Sequence, residues 1–218
     1  MMSYTSLHFI GALTPEMASL AAYSARQGVV VTASDDHKEG LYQVALESLG
    51  VTVFTSFDGN HITKQTGLVV VSRYYDERNS EVMAARKFGI PVVTETDFAK
   101  EISGGIKRLA ILGEYDGPML ATWLDFVLTQ GHVPVSSLTH AVSKEKSYSL
   151  ATAREGDWFI MPFSGFKRDA VTYEADFLAF DAQTIIIPSI MYDYPELYTT
   201  LDDVYQSYYP FVKRTPRS

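Results

Sequence analysis

The stretch Leu7-His8-Phe9-Ile10-Gly11-Ala12-Leu13-Thr14-Pro15-Glu16-Met17-Ala18 decides the architecture. A short apolar run leads into a glycine, and helical signals follow at once: Thr14 as N-cap, Pro15 at the first helical position and Gly28 as the stop. This reads as strand, turn and helix, the opening of a βαβ unit. The alternation continues outward with a strand over Val29-Val30-Val31-Thr32-Ala33. Leu41, Val44, Ala45 and Leu49 then fall at helical spacing before Gly50, and Val51-Thr52-Val53-Phe54 reads as a strand. Leu68-Val69-Val70-Val71 is apolar without alternation, as a strand covered on both faces requires. Asn79 caps a helix that runs to Gly89, and Ile90-Pro91-Val92-Val93 closes the unit.

Ser103-Gly104-Gly105 interrupts the pattern, and Arg108-Leu109-Ala110-Ile111-Leu112 restarts it. A domain boundary is expected there. The second unit is expected to hold a helix from Pro118 to Gln130, strands near Val133 to Val135, Trp158 to Met161 and Thr184 to Ile187, and a helix from Thr200 to Val212. The polar stretch from Ser143 to Gly156 reads as a loop or hairpin. The fold class is α/β, a Rossmann-like N-terminal parallel sheet followed by a second α/β unit.

Composition narrows the functions. With 218 residues, 46% hydrophobic and 13% aromatic, the chain buries one large core or two small ones. A balance of 18 Lys+Arg against 26 Asp+Glu, formally -8, opposes capture of nucleic acid or an anionic membrane surface. The absence of cysteine removes disulfides, zinc-thiolate sites and thiol nucleophiles, and permits a cytoplasmic setting. No segment approaches the roughly 18 apolar residues of a spanning helix, and the N-terminus lacks a secretory pattern.

Few residues announce chemistry by themselves. The turn Gly11-Ala12-Leu13-Thr14 sits where α/β folds present amides to a phosphate, yet it has one glycine and does not fit G-x-G-x-x-G. A plain strand-to-helix turn and a phosphate site both stay open. Ser34-Asp35 at the end of the second strand reads either as a ribose- or base-binding pair or as ordinary turn residues. The five histidines, His8, His37, His61, His132 and His140, show no metal-ligand spacing, and His8 is expected to pack within its strand. Ser164-Gly165 lacks a serine-hydrolase elbow. The tyrosine-rich segment from Met191 to Tyr209 offers ring surface for a ligand or contact, with core packing expected for most of it.

Several phrases in order, His8-Phe9-Ile10-Gly11, Thr32-Ala33-Ser34-Asp35, Leu46-Glu47-Ser48-Leu49-Gly50-Val51, Leu68-Val69-Val70-Val71-Ser72 and Asn79-Ser80-Glu81-Val82-Met83-Ala84-Ala85-Arg86 into Gly89-Ile90-Pro91-Val92, resemble the Mur ligases. These are the ATP-dependent amide-forming enzymes of peptidoglycan synthesis. The resemblance is nearest to their L-alanine-adding and tripeptide-recycling members. It implies a UDP-sugar-binding type of domain over residues 1–103, with Gly11, Ser34, Asp35 and Ser72 at the matching positions. Arg73, which replaces a small residue after Ser72, is a candidate phosphate partner. The crowded turn Gly11-Ala12-Leu13-Thr14-Pro15 departs from the family's glycine-rich cradle.

Residues 104–218 resemble a truncated version of the family's central domain. Where the family's phosphate loop reads G-T-H-G-K-T, this chain has Gly113-Glu114-Tyr115-Asp116-Gly117-Pro118, with Gly117 for the lysine and Pro118 for the hydroxyl. Glu114 and Asp116 would repel a triphosphate. The family's acidic metal-binding phrase corresponds to Pro162-Phe163-Ser164-Gly165, and Tyr194 stands in place of a histidine. The resemblance therefore implies a pseudoenzyme with no catalytic residue, metal or cofactor, binding a UDP-linked precursor or a Mur-pathway protein. A homodimer or protein partner is expected to cover the second unit. Half of a split ligase, or a scaffold with a vestigial site, are the alternatives.

Overall fold

The computed structural model describes residues 4–37, 40–113, 115–144, 148–169 and 171–216. Among the described residues, ten strands form two sheets flanked by six α-helices. The first five strands are β1 (Ser6–Ile10), β2 (Val30–Ser34), β3 (Thr52–Phe54), β4 (Leu68–Val71) and β5 (Val92–Thr94), all parallel in the order β3-β2-β1-β4-β5. Their crossovers include α1 (Pro15–Arg26), α2 (Leu41–Glu47) and α3 (Ser80–Phe88). The local signals act as expected: Thr14 Oγ1 accepts from the Met17 amide, Asn79 caps α3, and Gly89 ends it with φ of +69°.

The second sheet comprises β6 (Lys107–Leu112), β7 (Val135–Leu138), β8 (Ala151–Thr152), β9 (Trp158–Phe163) and β10 (Thr184–Ile186), in the order β10-β6-β9-β7-β8. Among the described strands of this sheet only the β7–β8 pairing is antiparallel. The remaining helices are α4 (Glu95–Ile102), α5 (Asp116–Gln130) and α6 (Leu201–Arg214). Among the described residues no helix is long and apolar enough to cross a membrane.

Three local departures have physical causes. The strand expected at Val133 begins at Val135, because the Val133 amide donates to the Leu128 carbonyl (2.8 Å) and still closes α5, while Pro134 has no amide to give a ladder. α5 starts at Asp116 rather than Pro118, which proline tolerates because the first-turn amides have no helical partner. The expectation passed over α4, although Thr94 caps it and Phe98 and Ala99 form its buried face.

The segment 103–105 joins α4 to β6, but the apolar core does not stop there. Leu7 and Phe9 on one face of the first sheet, Met17 and Tyr23 of α1, and Leu112, Phe159 and Phe163 of the second sheet belong to one buried cluster. The rings of Tyr23 and Phe159 are 5.2 Å apart, so α1 serves both sheets. Separate clusters lie under α3 (Ile10, Val69, Val82, Ala85) and under α5 (Ile111, Ala121, Val135, Ile160). Of the tyrosine-rich tail, Tyr198 and Tyr208 are buried, the latter against Phe177, whereas Tyr205 and Tyr209 face solvent.

Beside the apolar cluster beneath it, α5 is tied to its sheet by one carboxylate. Asp125 is fully buried, and its oxygens accept hydrogen bonds from Ser137 Oγ, Thr152 Oγ1 and Arg154 Nη1, each at 2.6 Å. Asp125→Ala strands these donors and is expected to lower stability by about 3 kcal/mol in urea unfolding. A loss below about 1 kcal/mol would show that the carboxylate does not tie the helix down.

Candidate functional site

Parallel strands end at one edge of each sheet, and crevices at such carboxyl ends are where α/β folds take ligands. In the first sheet the turn after β1 is already engaged. The amides of Gly11 and Ala12 both donate to the Ser34 carbonyl (2.9 and 3.1 Å), and the Leu13 amide donates to Asp35 Oδ2 (2.8 Å). Gly11 has φ of +74°, and the Tyr75 ring lies directly over it. Tyr75 is held in place by its hydroxyl donating to Asp36 Oδ1 (2.9 Å) and by an edge contact to Phe57. Three amides that would cradle a phosphate are thus spent within the protein.

Ser34 faces inward. Its hydroxyl donates to Glu81 Oε2, and the same carboxylate meets His61 Nδ1 (2.7 Å), the Asp58 amide (3.3 Å) and His8 Nε2 (3.4 Å). His8 Nδ1 lies 2.7 Å from Thr32 Oγ1, so this strand histidine is fully buried and partnered. Burial pushes the Glu81 carboxyl up, but hydrogen bonds from His8, Ser34 and His61 outweigh it and hold the group below its usual value. Asp35 is buried and also accepts from the His37 amide and ring. Ser72 is buried, and its hydroxyl oxygen has no hydrogen-bond partner among the described residues. Asp35, Asp36 and His37 are the one group of described residues bringing three potential metal-ligand atoms within 4.8 Å, and the His37 ring is spent on Asp35.

Arg73 turns away from that turn into the seam between the sheets. It is 5% exposed, its Nε donates to Glu95 at the start of α4, and Nη1 lies 3.6 Å from Asp176 Oδ2. Asp176 in turn accepts from Ser164 Oγ (3.1 Å) and the amides of Gly165 (3.1 Å) and Phe177 (2.8 Å). Glu16 and His140 border the same cavity. Burial works against the Arg73 charge, yet Glu95, Glu16 and Asp176 hold it above its usual value. Glu95 and Asp176 share one guanidinium with Glu16 nearby, and burial, aided by Glu16 and Asp176, pushes the Glu95 carboxyl up to about 7. Burial also drives His140 down to about 4, leaving it neutral near pH 7.

The sign of the Glu95 effect follows from linkage. A carboxyl whose pKa rises from 4.5 to about 7 on folding takes up a proton as the chain folds. Its contribution favours the fold at acid pH and declines as pH rises from 4.5 to about 7. Urea midpoints measured across that window should fall more steeply in the wild type than in Glu95→Gln. Parallel profiles would remove Glu95 as the source.

At the carboxyl end of the second sheet, the Gly113 amide donates to the Phe163 carbonyl (3.1 Å) and the Gly117 amide to the Gly113 carbonyl (3.0 Å). Asp116 Oδ2 accepts from Ser189 Oγ (3.4 Å) at the mouth of this turn. Glu114 lies outside the described residues. A cleft of about 340 Å³ opens here between the two sheets, lined by Pro15, Glu16, Tyr42, Tyr115, His140 and Ser164 among others. No lysine or arginine is among its described lining residues. Ser164 is spent on Asp176, and Tyr194 packs on Phe166 at 4.8 Å between ring centres.

Known proteins resemble this chain in sequence and fold. The profile of the Mur ligase family, catalytic domain, matches residues 6–105. Curated UDP-N-acetylmuramate–L-alanine ligases align over nearly the whole chain: that of Streptomyces griseus is 27% identical over 94% of the chain, and that of a Psychrobacter species 28% identical over 97%. The chain is Mur-ligase-like. It spans 42% of the length of each of these two relatives. The structure of the UDP-N-acetylmuramate:L-alanyl-gamma-D-glutamyl-meso-diaminopimelate ligase from Neisseria meningitides superposes with a TM-score of 0.84 at 18% identity, covering 99% of this chain and 70% of that one. The UDP-N-acetylmuramate–alanine ligase of Thermotoga maritima gives 0.80 at 16% identity, covering 96% and 47%. These likenesses establish the shared fold.

In this Mur-ligase-like chain the candidates Gly11, Ser34, Asp35 and Ser72 gather around one turn, while Arg73 belongs to the seam. Sequence reading passed over Glu81, Glu95, Asp176 and Tyr75. The available signal was acidic residues at helix starts, Glu81 and Glu95, beside residues that pack inward.

Proposed function

We propose that this Mur-ligase-like chain does not carry out ATP-dependent ligation and acts by binding a cell-wall precursor or a Mur-pathway protein in a cytoplasmic setting. The observation that carries the reading is the β6–α5 turn. Gly117 and Pro118 stand where the family's loop needs a lysine and a metal-binding hydroxyl, Asp116 adds negative charge beside them, and the adjoining cleft is lined by Glu16 without a described cation. The engaged amides of Gly11, Ala12 and Leu13 favour recognition of the sugar or peptide part of a precursor over its diphosphate. Apolar side chains left exposed along α5, Met119, Trp123, Phe126 and Val127, support a protein contact as well.

Calorimetric titration with ATP and magnesium, and separately with UDP-N-acetylmuramate, tests the reading. No heat of ATP binding is expected up to millimolar concentration, together with binding of UDP-N-acetylmuramate no tighter than that of N-acetylmuramate alone. Low-micromolar ATP affinity would sink the reading.

A further inference from the structure

Glu16, His140, Pro162 and Phe163 line both the 340 Å³ cleft and a smaller cavity of about 30 Å³ behind it, so the two adjoin. The inner cavity is bounded by Arg73, Glu95 and Asp176, which together with Glu16 set three carboxylates against one guanidinium. Glu95 is 2% exposed, and its Oε2 has no hydrogen-bond partner among the described residues. A buried carboxylate oxygen left unpaired is costly, and a group that donates to it relieves that cost. The outer cleft presents the rings of Tyr42 and Tyr115 with Pro15 and Pro118.

We propose that the adjoining cavities form one binding site for a small organic ammonium, its –NH3+ beside Glu95 Oε2 and Glu16 and its carbon body between the tyrosine and proline rings of the cleft. The inference rests on reading the cleft as a binding cleft. The inner space holds about one water-sized group, the size of an ammonium head. A carboxylate or phosphate entering past Glu16 meets like charge, whereas an ammonium meets opposite charge and aromatic faces.

Binding at this place is proton-linked. The groups facing Glu95 are Arg73 after β4, Glu16 on α1, Asp176 and the neutral His140 after β7. An ammonium favours the ionised Glu95, whose carboxyl otherwise releases its proton near pH 7. Affinity therefore rises between about pH 6 and about pH 8.

Titration of the full chain with n-propylammonium chloride, alongside propionate and 1-propanol as anionic and neutral isosteres, tests the site. Saturable binding is expected for the ammonium alone. Glu16→Gln and Glu95→Gln should each weaken it by about tenfold, and Tyr115→Ala, at an exposed position, by about threefold with unchanged circular dichroism. Equal responses to the three compounds, or an affinity untouched by Glu16→Gln, would overturn the proposal. Because Glu16 is only partly buried, its variant stays informative if Glu95→Gln unfolds. The parallel ATP titration keeps the two readings apart. ATP binding overturns the loss of ligation and leaves the ammonium site standing; absent ammonium binding removes only the site.

Discussion

Arg73→Met should lower the stability of the chain by about 3–5 kcal/mol near pH 8 and by distinctly less near pH 5. The guanidinium is the cation that Glu95 and Asp176 share in the seam, and both carboxyls are buried. Methionine fills much of the same volume but leaves two carboxylates facing each other with Glu16 alongside. As pH falls the raised carboxyls take up protons, and the cost shrinks toward lost hydrogen bonds. Burial already pushes both carboxyls upward in the intact protein, so the sign is set: removal of the arginine raises them further, and the deficit grows with pH. Urea unfolding of the variant and the parent at the two pH values measures it. An equal loss at both would mean that Arg73 acts through packing rather than charge.

Gly11→Ala is expected to cost about 4 kcal/mol, from two separable causes. The backbone there has φ of +74°, which alanine adopts at a cost of roughly 1–2 kcal/mol. A methyl group would also stand 2.7 Å from Tyr75 Cδ2 and 2.9 Å from Ser72 Cβ. Removing the ring in the double variant with Tyr75→Ala should relieve its share of the collision and leave the backbone cost and the Ser72 contact, so the two changes are expected to couple by at least about 1 kcal/mol. Strict additivity, measured as a double-mutant cycle of unfolding free energies, would show that Tyr75 does not press on the turn.

Much of the fold was legible because strand and helix signals agree with one another. Thr14 with Pro15, Asn79 with Gly89, and Thr200 ahead of α6 each act locally, and the structure uses all three as caps or stops. Val133 was misplaced because its amide is claimed by the Leu128 carbonyl of the preceding helix, a choice between partners that residue type does not encode. The site was legible only as a neighbourhood. Ser34, Asp35 and Ser72 do sit around Gly11, but their hydrogen bonds run to Glu81, to Leu13 and His37, and to no described side chain, respectively. Arg73 follows Ser72 in sequence, yet its charge is spent on Glu95 and Asp176, 22 residues away in the first case and in the other half of the chain in the second. Long-range electrostatic pairing of this kind leaves no mark in local pattern.

The helix α1, packed between the two sheets, has a further consequence for how the chain responds to force and heat. Its inward side chains are common property, so neither sheet can loosen without exposing the other's apolar flank. One cooperative unfolding transition is therefore expected in calorimetry, and two resolved transitions would show that the sheets unfold separately. The same shared packing opposes hinge-like swinging of one sheet against the other.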